Sequence, residues 1–309
     1  MKIGIDIGGT KCAVVLGDEK GIRKKIAFPT TDLNNTLDRI ISAVEEIGIG
    51  DAIGISCGGP LDEEAGLILS PPNLPGWDRI PIKQLLSDRF GIPVSLCNDA
   101  NACALAEWRY GAGKGTQNMI FLTFGTGLGA GLILDGHLYR GTNGMAGEVG
   151  HIRMCEDGPV GYGKAGSLEG FCSGGGIAGL ARKFAQDAIR AGHPLPFCST
   201  VEELNTVNAK TIAQYADAGE PTALEIFRIS AEMLGRGLAI LVDLLNPEVI
   251  VIGSIFQRAE NLFRREMEHY LQQEALPRSL SVCRIMPAKL KDEIGDYAAL
   301  AVALQEDEK

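Results

Sequence analysis

Apolar residues recur along this chain in two rhythms, and their succession lays out the elements. Ile3–Ile7 and Ala13–Leu16 are short apolar runs on either side of Gly8-Gly9-Thr10-Lys11. That arrangement predicts a β-hairpin closed by a glycine turn. Over residues 34–47, Leu37, Ile40, Ile41, Val44 and Ile47 fall at helical spacing. A strand over 51–57 stops at Gly58-Gly59-Pro60, a loop signal. A helix over 80–90, a strand over 92–97 and a helix over 100–109 follow, the last capped by Asn98 or Asp99. Gly111, Gly113 and Gly115 then mark a boundary.

Beyond that boundary the pattern starts again. Residues 118–124 read as a strand, Gly125 to Gly129 as a glycine turn and 130–134 as a strand. Laid on the first hairpin, Thr123 falls on Asp6 and Gly125 on Gly8, an offset of 117 residues. The later run EVIVIGSIF echoes DAIGISCGGP in the same way, so one strand–turn–strand unit with its following helices reads as duplicated. Helices are predicted over 174–190, 208–218, 221–245 and 295–305. Two similar α/β halves imply a two-lobed fold with a central cleft, the kind of place where small molecules bind.

Composition narrows this picture. A chain of 309 residues suggests two domains or one large one. Hydrophobic residues at 45% and charged residues at 22% exclude a disordered or collagen-like chain. A net charge of -10 argues against nucleic acid or an anionic membrane as partner, while leaving room for a local basic pocket. No run of ~18 apolar residues offers a membrane span. The first apolar residues begin at Ile3 and are broken by Asp6, so no leader peptide is expected. Eight scattered cysteines, several inside apolar runs, read as free thiols of a reducing cytoplasm. Glycine is the outlier: 40 residues, of which 21 lie between 101 and 180. Such density suggests backbone packed closely around a ligand.

Three motifs carry candidate chemistry. In Asp6-Ile7-Gly8-Gly9-Thr10-Lys11, adjacent glycines let a turn present its N–H groups to a phosphate. Thr10 adds a hydroxyl, Lys11 a charge, and Asp6 at the strand end can hold the water shell of Mg2+. An ordinary hairpin turn is the competing reading, and the eight-residue pattern of the P-loop NTPases is not matched. Phe124-Gly125-Thr126-Gly127-Leu128-Gly129 repeats the device, and two such hairpins could clamp a polyphosphate. Gly253, after an apolar strand, could pack against an adenine ring. Finally, Asn98-Asp99-Ala100-Asn101 sets a carboxylate between a strand and a helix. A kinase needs such a carboxylate to orient a hydroxyl and accept its proton, although capping a helix alone is worth ~1 kcal/mol.

Taken together, D-I-G-G-T-K, N-D-A-N-A, F-G-T-G-L-G and G-E-V-G-H resemble the ROK family of sugar kinases, repressors and uncharacterised open reading frames. The resemblance covers essentially the whole chain. It implies an α/β, two-lobed actin-like (ribonuclease H-like) ATPase fold with lobes at 1–112 plus 292–309 and at 113–291. By this resemblance Asp99 is the catalytic base. Asn98, Glu148, His151 and Glu169 form a sugar cage with Asp99, and Gly58 and Gly59 line it. ATP and Mg2+ fall to Asp6, Gly8, Gly9, Thr10, Lys11, Thr126, Gly127 and Gly253. The implied reaction is ATP-dependent phosphorylation of a hexose at its 6-hydroxyl, with glucose the commonest assignment. N-acetylmannosamine, or another hexose of the ROK kinases, is the alternative. The partners implied are a small sugar and ATP, within a cytoplasmic homodimer.

Two departures refine that expectation. ROK repressors place a helix-turn-helix before the first phosphate motif, and here two residues precede Ile3, so a DNA-binding regulator is not favoured. Intact Asp6, Lys11 and Asp99 argue against a non-catalytic sugar-binding module. Most ROK proteins also carry C-x-C-G-x-x-G-C-x-E, whose cysteines bind structural zinc with the histidine of E-x-G-H. This chain has Val160, Tyr162 and Ser167 at those cysteine positions. No zinc is expected, His151 needs another hydrogen bond to orient it, and Tyr162 is expected to pack into the vacated space. A set of His151, Cys155 and Cys172 fits no usual zinc spacing.

Overall fold

The computed structural model describes residues 1–48 and 50–305. The expected lobe 1–112 plus 292–309 includes Ile49 and residues 306–309, which lie outside the described residues. One five-stranded sheet contains β1 (Lys2–Ile7), β2 (Lys11–Asp18), β3 (Gly21–Pro29), β4 (Ile53–Cys57) and β5 (Val94–Asn98), in the order β3-β2-β1-β4-β5. A second contains β6 (Met119–Phe124), β7 (Leu128–Leu134), β8 (His137–Tyr139), β9 (Val249–Ile252) and β10 (Arg284–Pro287), in the order β8-β7-β6-β9-β10. The two orders are the same: an antiparallel meander extended by parallel strands. The duplication read from the glycine hairpins is therefore a duplication of topology.

The main helices are α1 (Leu33–Ile47), α2 (Ile82–Phe90), α3 (Asp99–Tyr110), α4 (Gly174–Arg190), α5 (Ala209–Asp217), α6 (Pro221–Leu245), α7 (Glu260–Glu274) and α8 (Ile294–Leu304). Their starts follow local capping chemistry. Asp32 accepts from the N–H of Asn35 ahead of α1, Ser173 from Gly176 in α4, and Asn208 from Thr211 in α5. Among the described residues no helix is long and apolar enough to cross a membrane.

By packing, the chain forms two compact units. Met1–Phe121, Gly131–Ala146 and Lys289–Lys309 make the first; Leu122–Ala130 and Gly147–Ala288 make the second. In the first, α1 lays Ile40, Val44 and Ile47 against Ile3, Ile5 and Val14 of the sheet. On its opposite face α8 crosses β1 and β4 at backbone distance. A Cβ added to Gly4 would lie 2.5 Å from the amide nitrogen of Leu300, and one added to Gly54 would overlap the amide nitrogen of Ala303. The unbroken buried run Ala298–Leu304 is what lets this helix sit so low.

Two elements run against the sequence pattern. The apolar pattern predicts no strand at β3, because Arg23, Lys24 and Lys25 are exposed on it; Ile26 and Phe28 pack on one cluster and Ile22, beyond a register shift, on another with Val15 and Leu300. α7 was not foreseen either. It buries only Phe263, Met267 and Leu271, one per turn, and spends the rest of its surface on ion pairs such as Arg264 with Glu268.

Replacing Gly54 by Ala should destabilise the fold by about 1–3 kcal/mol or more, the usual cost of overpacking, because the neighbour is backbone and has nowhere to rotate. Urea unfolding checks this; an unchanged midpoint would mean that α8 does not press on β4.

Candidate active site

The first unit assembles its polar residues at the ends of β1 and β5. Asp6 is the penultimate residue of β1, just ahead of the adjoining turn. In that turn the N–H of Gly8 donates to the carbonyl of Lys11 at 3.1 Å, and the Thr30 hydroxyl donates to the carbonyl of Gly8 at 2.5 Å. Gly9, Thr10 and Lys11 are exposed. A Cβ on Gly9 would come 2.5 Å from the carbonyl oxygen of Asn73, so this corner needs glycine for close approach.

Asp6 carries the largest electrostatic burden here. Burial pushes its carboxyl up to about 6, the neighbouring carboxylate of Asp296 adds to the rise, and Lys11 opposes it. Asp296 is buried and ion-paired with Lys25. Gly295 at the start of α8 lies directly on Asp6: a Cβ there would be 2.5 Å from Oδ2. Asp296 and Lys25 belong to no motif, and no spacing signal links either to Asp6.

Asp99 begins α3, and the residue that caps the helix is Asn98. Asn98 Oδ1 accepts from the N–H of Ala100 at 2.9 Å, and Asp99 Oδ1 accepts from the same N–H at 2.9 Å. Asp99 is open to solvent at its surface yet sits low among protein atoms. That partial loss of water pushes its carboxyl above the usual carboxylate range, and the Ala100 N–H pulls the other way. Gly59 stands beside Asn98, and Gly58 beside Asp99. Glu63, which carries no sequence signal, accepts from the N–H of Asn98 at 2.7 Å and from Arg140 Nε at 3.1 Å. It thereby fixes the strand end from which Asp99 projects.

The second unit brings together Thr126, Gly127 and Glu169. Glu169 Oε2 accepts from the N–H of Leu128 at 2.9 Å, so this carboxylate braces the second glycine turn. A Cβ on Gly127 would come 2.7 Å from the same oxygen. The turn is braced from behind by α4, whose Gly174 N–H donates to the carbonyl of Gly125 at 2.7 Å. Gly253 donates to the carbonyl of Leu122 at the end of β6, and Ser254 next to it takes a left-handed φ of 54° near Gly125. Glu148 precedes the short helical turn Val149–His151 and His151 ends it, and both are exposed. Gly150 within that turn packs on the carbonyl oxygen of Leu128 and against Glu169 Cβ.

The residues at the zinc positions do not supply a zinc ligand set. Val160 has no donor atom. Ser167 is buried and its hydroxyl is committed, accepting from the N–H of Gly170 at 3.1 Å and facing the carbonyl of Gly161 at 3.4 Å. Cys155 and Cys172 turn their thiols to the carbonyls of Asp157 and Ser230. Among the described residues no group of three His, Cys, Asp or Glu side chains is arranged to hold a metal ion. Tyr162 does not fill the vacated space as expected. It stands at the tip of a hairpin in which Val160 pairs with Ala165 and Gly161 with Lys164, 90% exposed with φ of 44°. The bond that holds His151 falls on its backbone carbonyl, which accepts from Lys164 Nζ at 2.6 Å.

With this geometry in hand, comparison with known proteins gives a direct answer. The model of the ROK family matches residues 2–306. The chain belongs to the ROK family. It is 33% identical over 308 residues to the glucokinase of Halalkalibacterium halodurans, covering 95% of this chain and 92% of that one. The crystal structure of a ROK hexokinase from Thermus thermophilus superposes with a TM-score of 0.81 at 31% identity, covering 99% of each chain. A ROK family glucokinase from Streptomyces griseus, in complex with glucose and AMPPNP, superposes with a TM-score of 0.77 at 31% identity, covering 98% of this chain and 99% of that one. The fold is the actin-like ATPase fold of these ROK kinases, and the chain is an ATP-dependent sugar kinase.

The raised Asp6 carboxyl has a thermodynamic consequence. A carboxyl that holds its proton more tightly folded than unfolded stabilises the fold fully below about pH 4 and loses that contribution as the pH rises through about 6. Above that, the ionised group costs up to about 3 kcal/mol, at 1.36 kcal/mol for each of roughly two units. Asp6→Asn should therefore melt higher than the wild type at pH 8 without ligand, and the gap should close towards pH 4. A gap independent of pH would remove Asp6 as its source.

Proposed function

We propose that this ROK kinase transfers the γ-phosphoryl group of ATP to the 6-hydroxyl of a hexose, with glucose as the first candidate. The observation that carries the reading is Asp99: a carboxylate at the first position of α3, anchored through Oδ1 and raised by its surroundings. A general base must be ionised at working pH and still accept a proton in the transition state, and a carboxyl raised above its ordinary range is suited to both. In this reading Asp99 takes the proton of the 6-hydroxyl as that oxygen attacks the γ-phosphorus and the bond to ADP breaks.

The remaining residues position substrates, since positioning and charge carry most of phosphoryl transfer. Gly8, Gly9 and Thr10 offer N–H and hydroxyl donors to phosphate, and Lys11 adds its charge; Thr126 and Gly127 do the same from the second hairpin, and Gly253 leaves room for the base. Asn98, Glu148, His151 and Glu169 meet the sugar hydroxyls, with Gly59 keeping the floor open beside Asn98. The crowding of Asp6 by Asp296 fits a bound cation, which would relieve it. Mg2+ held there through water would offset phosphate charge. Exposed Ile240, Leu244 and Leu276 favour a homodimer, which sedimentation would report.

An ADP-release assay over hexoses and N-acetylhexosamines, with the product located by NMR, tests the substrate. Glucose 6-phosphate is the expected product; a clear preference for N-acetylmannosamine would move the chain to that kinase class. Asp99→Asn should keep sugar binding and lower kcat by about 10²–10⁴-fold, the usual worth of a general base. Near-normal turnover would take Asp99 out of the mechanism. Glu148→Gln keeps size and removes charge, and hydrogen bonds to charged groups are worth ~1.5–3 kcal/mol, so sugar affinity should fall about 10- to 150-fold with little change for ATP. If ATP affinity fell while sugar affinity held, Glu148 would belong to the nucleotide.

A further inference from the structure

The stretch between His151 and Glu169 carries Val160, Tyr162 and Ser167 at the cysteine positions of the ROK zinc motif, and it is not left loose. Its two arms run side by side. The N–H of Met154 donates to the carbonyl of Gly166 at 2.8 Å, and that of Leu168 to the carbonyl of Ile152 at 2.8 Å. Between them a small hairpin pairs Val160 with Ala165 and Gly161 with Lys164. This hairpin is seated on the helix Leu168–Phe171, since a Cβ on Gly161 would lie 2.5 Å from the N atom of Gly170. It is also tied to the first arm, where an Arg153 guanidinium nitrogen donates to the carbonyl of Ala165 at 2.9 Å.

The turn Val149–His151 ends with a carbonyl that has no partner within the turn, as the last carbonyls of any helix do. Lys164 Nζ reaches that carbonyl at 2.6 Å, and a cation is the favoured partner at the C-terminal end of a helical turn. The chain from Glu148 through His151 is thereby joined, by one charged hydrogen bond, to a hairpin seated on the helix that bears Glu169. In a zinc-bearing relative a metal would join the same segment through cysteine side chains; Lys164 lies between the positions of two of them, 162 and 167.

We propose that Lys164 is a positioning residue, a direct hydrogen-bond clasp that sets Glu148 and His151 relative to Glu169 without a metal. The inference rests on the reading of Glu148, His151 and Glu169 as sugar contacts. It adds that their spacing is set by Lys164, so that losing the clasp weakens the sugar and leaves the nucleotide and the chemical step alone.

The test uses the full-length protein and three variants. Lys164→Met removes the donor, Lys164→Arg keeps one, and Lys164→Gln, whose amide is too short to reach, replaces the Met variant should that fail to fold. Amide hydrogen exchange comes first because it needs no activity. In Lys164→Met the amides of His151 and Ile152 should exchange several-fold faster, with those of α3 unchanged, and Lys164→Arg should restore protection. Kinetics come second. A half-exposed charged hydrogen bond of about 1 kcal/mol corresponds to a rise in sugar KM of about 3- to 10-fold, with kcat and the KM for ATP within about twofold of wild type and Arg again rescuing. A chelator with Mg2+ in excess should change none of these values. Unaltered exchange at His151 and Ile152 in the Met variant, or a KM for ATP that rises as much as that for sugar, would overturn the clasp. So would about one zinc per chain by elemental analysis. If the wild type phosphorylates no sugar while exchange still responds to Lys164, the kinase reading fails and the clasp stands.

Discussion

Gly4 and Gly54 present no side chain where α8 crosses the first sheet, and much of the first unit follows from that. The helix backbone at Leu300 and Ala303 lies directly on β1 and β4. With a helix so low, its first turn arrives at the end of β1 rather than above it. Gly295 then touches the Asp6 carboxylate and Asp296 follows close behind. The electrostatics of the turn after β1 are thus set by a packing decision about one and a half to two turns further along the same helix. Removing water from Asp6 and adding a like charge both disfavour its ionised form.

In the second unit the same economy of side chains works at shorter range. Gly150 rests on the carbonyl of Leu128, Gly127 faces the carboxylate of Glu169, and Gly161 sits on Gly170. Each contact is between backbone and backbone or backbone and carboxylate, with no room for a methyl group. Such contacts account for part of the glycine between residues 101 and 180; at Gly115, Gly144, Gly163 and Gly179 an added Cβ would meet nothing within 4 Å. Glu169 therefore has two claims on it. One oxygen holds the second glycine turn through the N–H of Leu128. A sugar hydroxyl would have to use what remains, so ligand at Glu169 and order in that turn are coupled through a single carboxylate.

Much of this was legible in the residues. The hairpins around Gly8 and Gly125, the duplicated topology and helices α4 and α6 follow from periodicity and glycine placement, because those elements bury a continuous apolar face. β3 and α7 escaped because their buried residues are few and separated by charge: three lysine and arginine residues in a row on β3, and one apolar residue per turn on α7. Motif logic could name Asp6, Asp99 and Glu169 but not what acts on them. Asp296, Glu63 and Lys164 are distant in sequence from the groups they touch, and an isolated polar residue carries no spacing signal. Tyr162 shows the opposite error. Its size suggested a filler for a lost metal, but a turn residue with positive φ at a hairpin tip points outward.

In the proposed mechanism, capping and catalysis share one strand end at the start of α3. A helix needs an acceptor for its first N–H groups, and a kinase needs a carboxylate oxygen left for its substrate. Had Asp99 been the cap, its carboxylate would have been turned back onto the helix. Asn98 takes that position instead, and the N–H of Ala100 is shared between Asn98 Oδ1 and Asp99 Oδ1 at 2.9 Å each. This leaves Asp99 Oδ2 on the side of Gly58, where an added Cβ would come within 3.9 Å of it. Glu63 accepts from the backbone N–H of Asn98 and is itself ion-paired with Arg140, so the backbone at the cap is held as well. The carboxylate is fixed through one oxygen and presented through the other, and the residue that makes this possible is the neutral neighbour, not the acid itself.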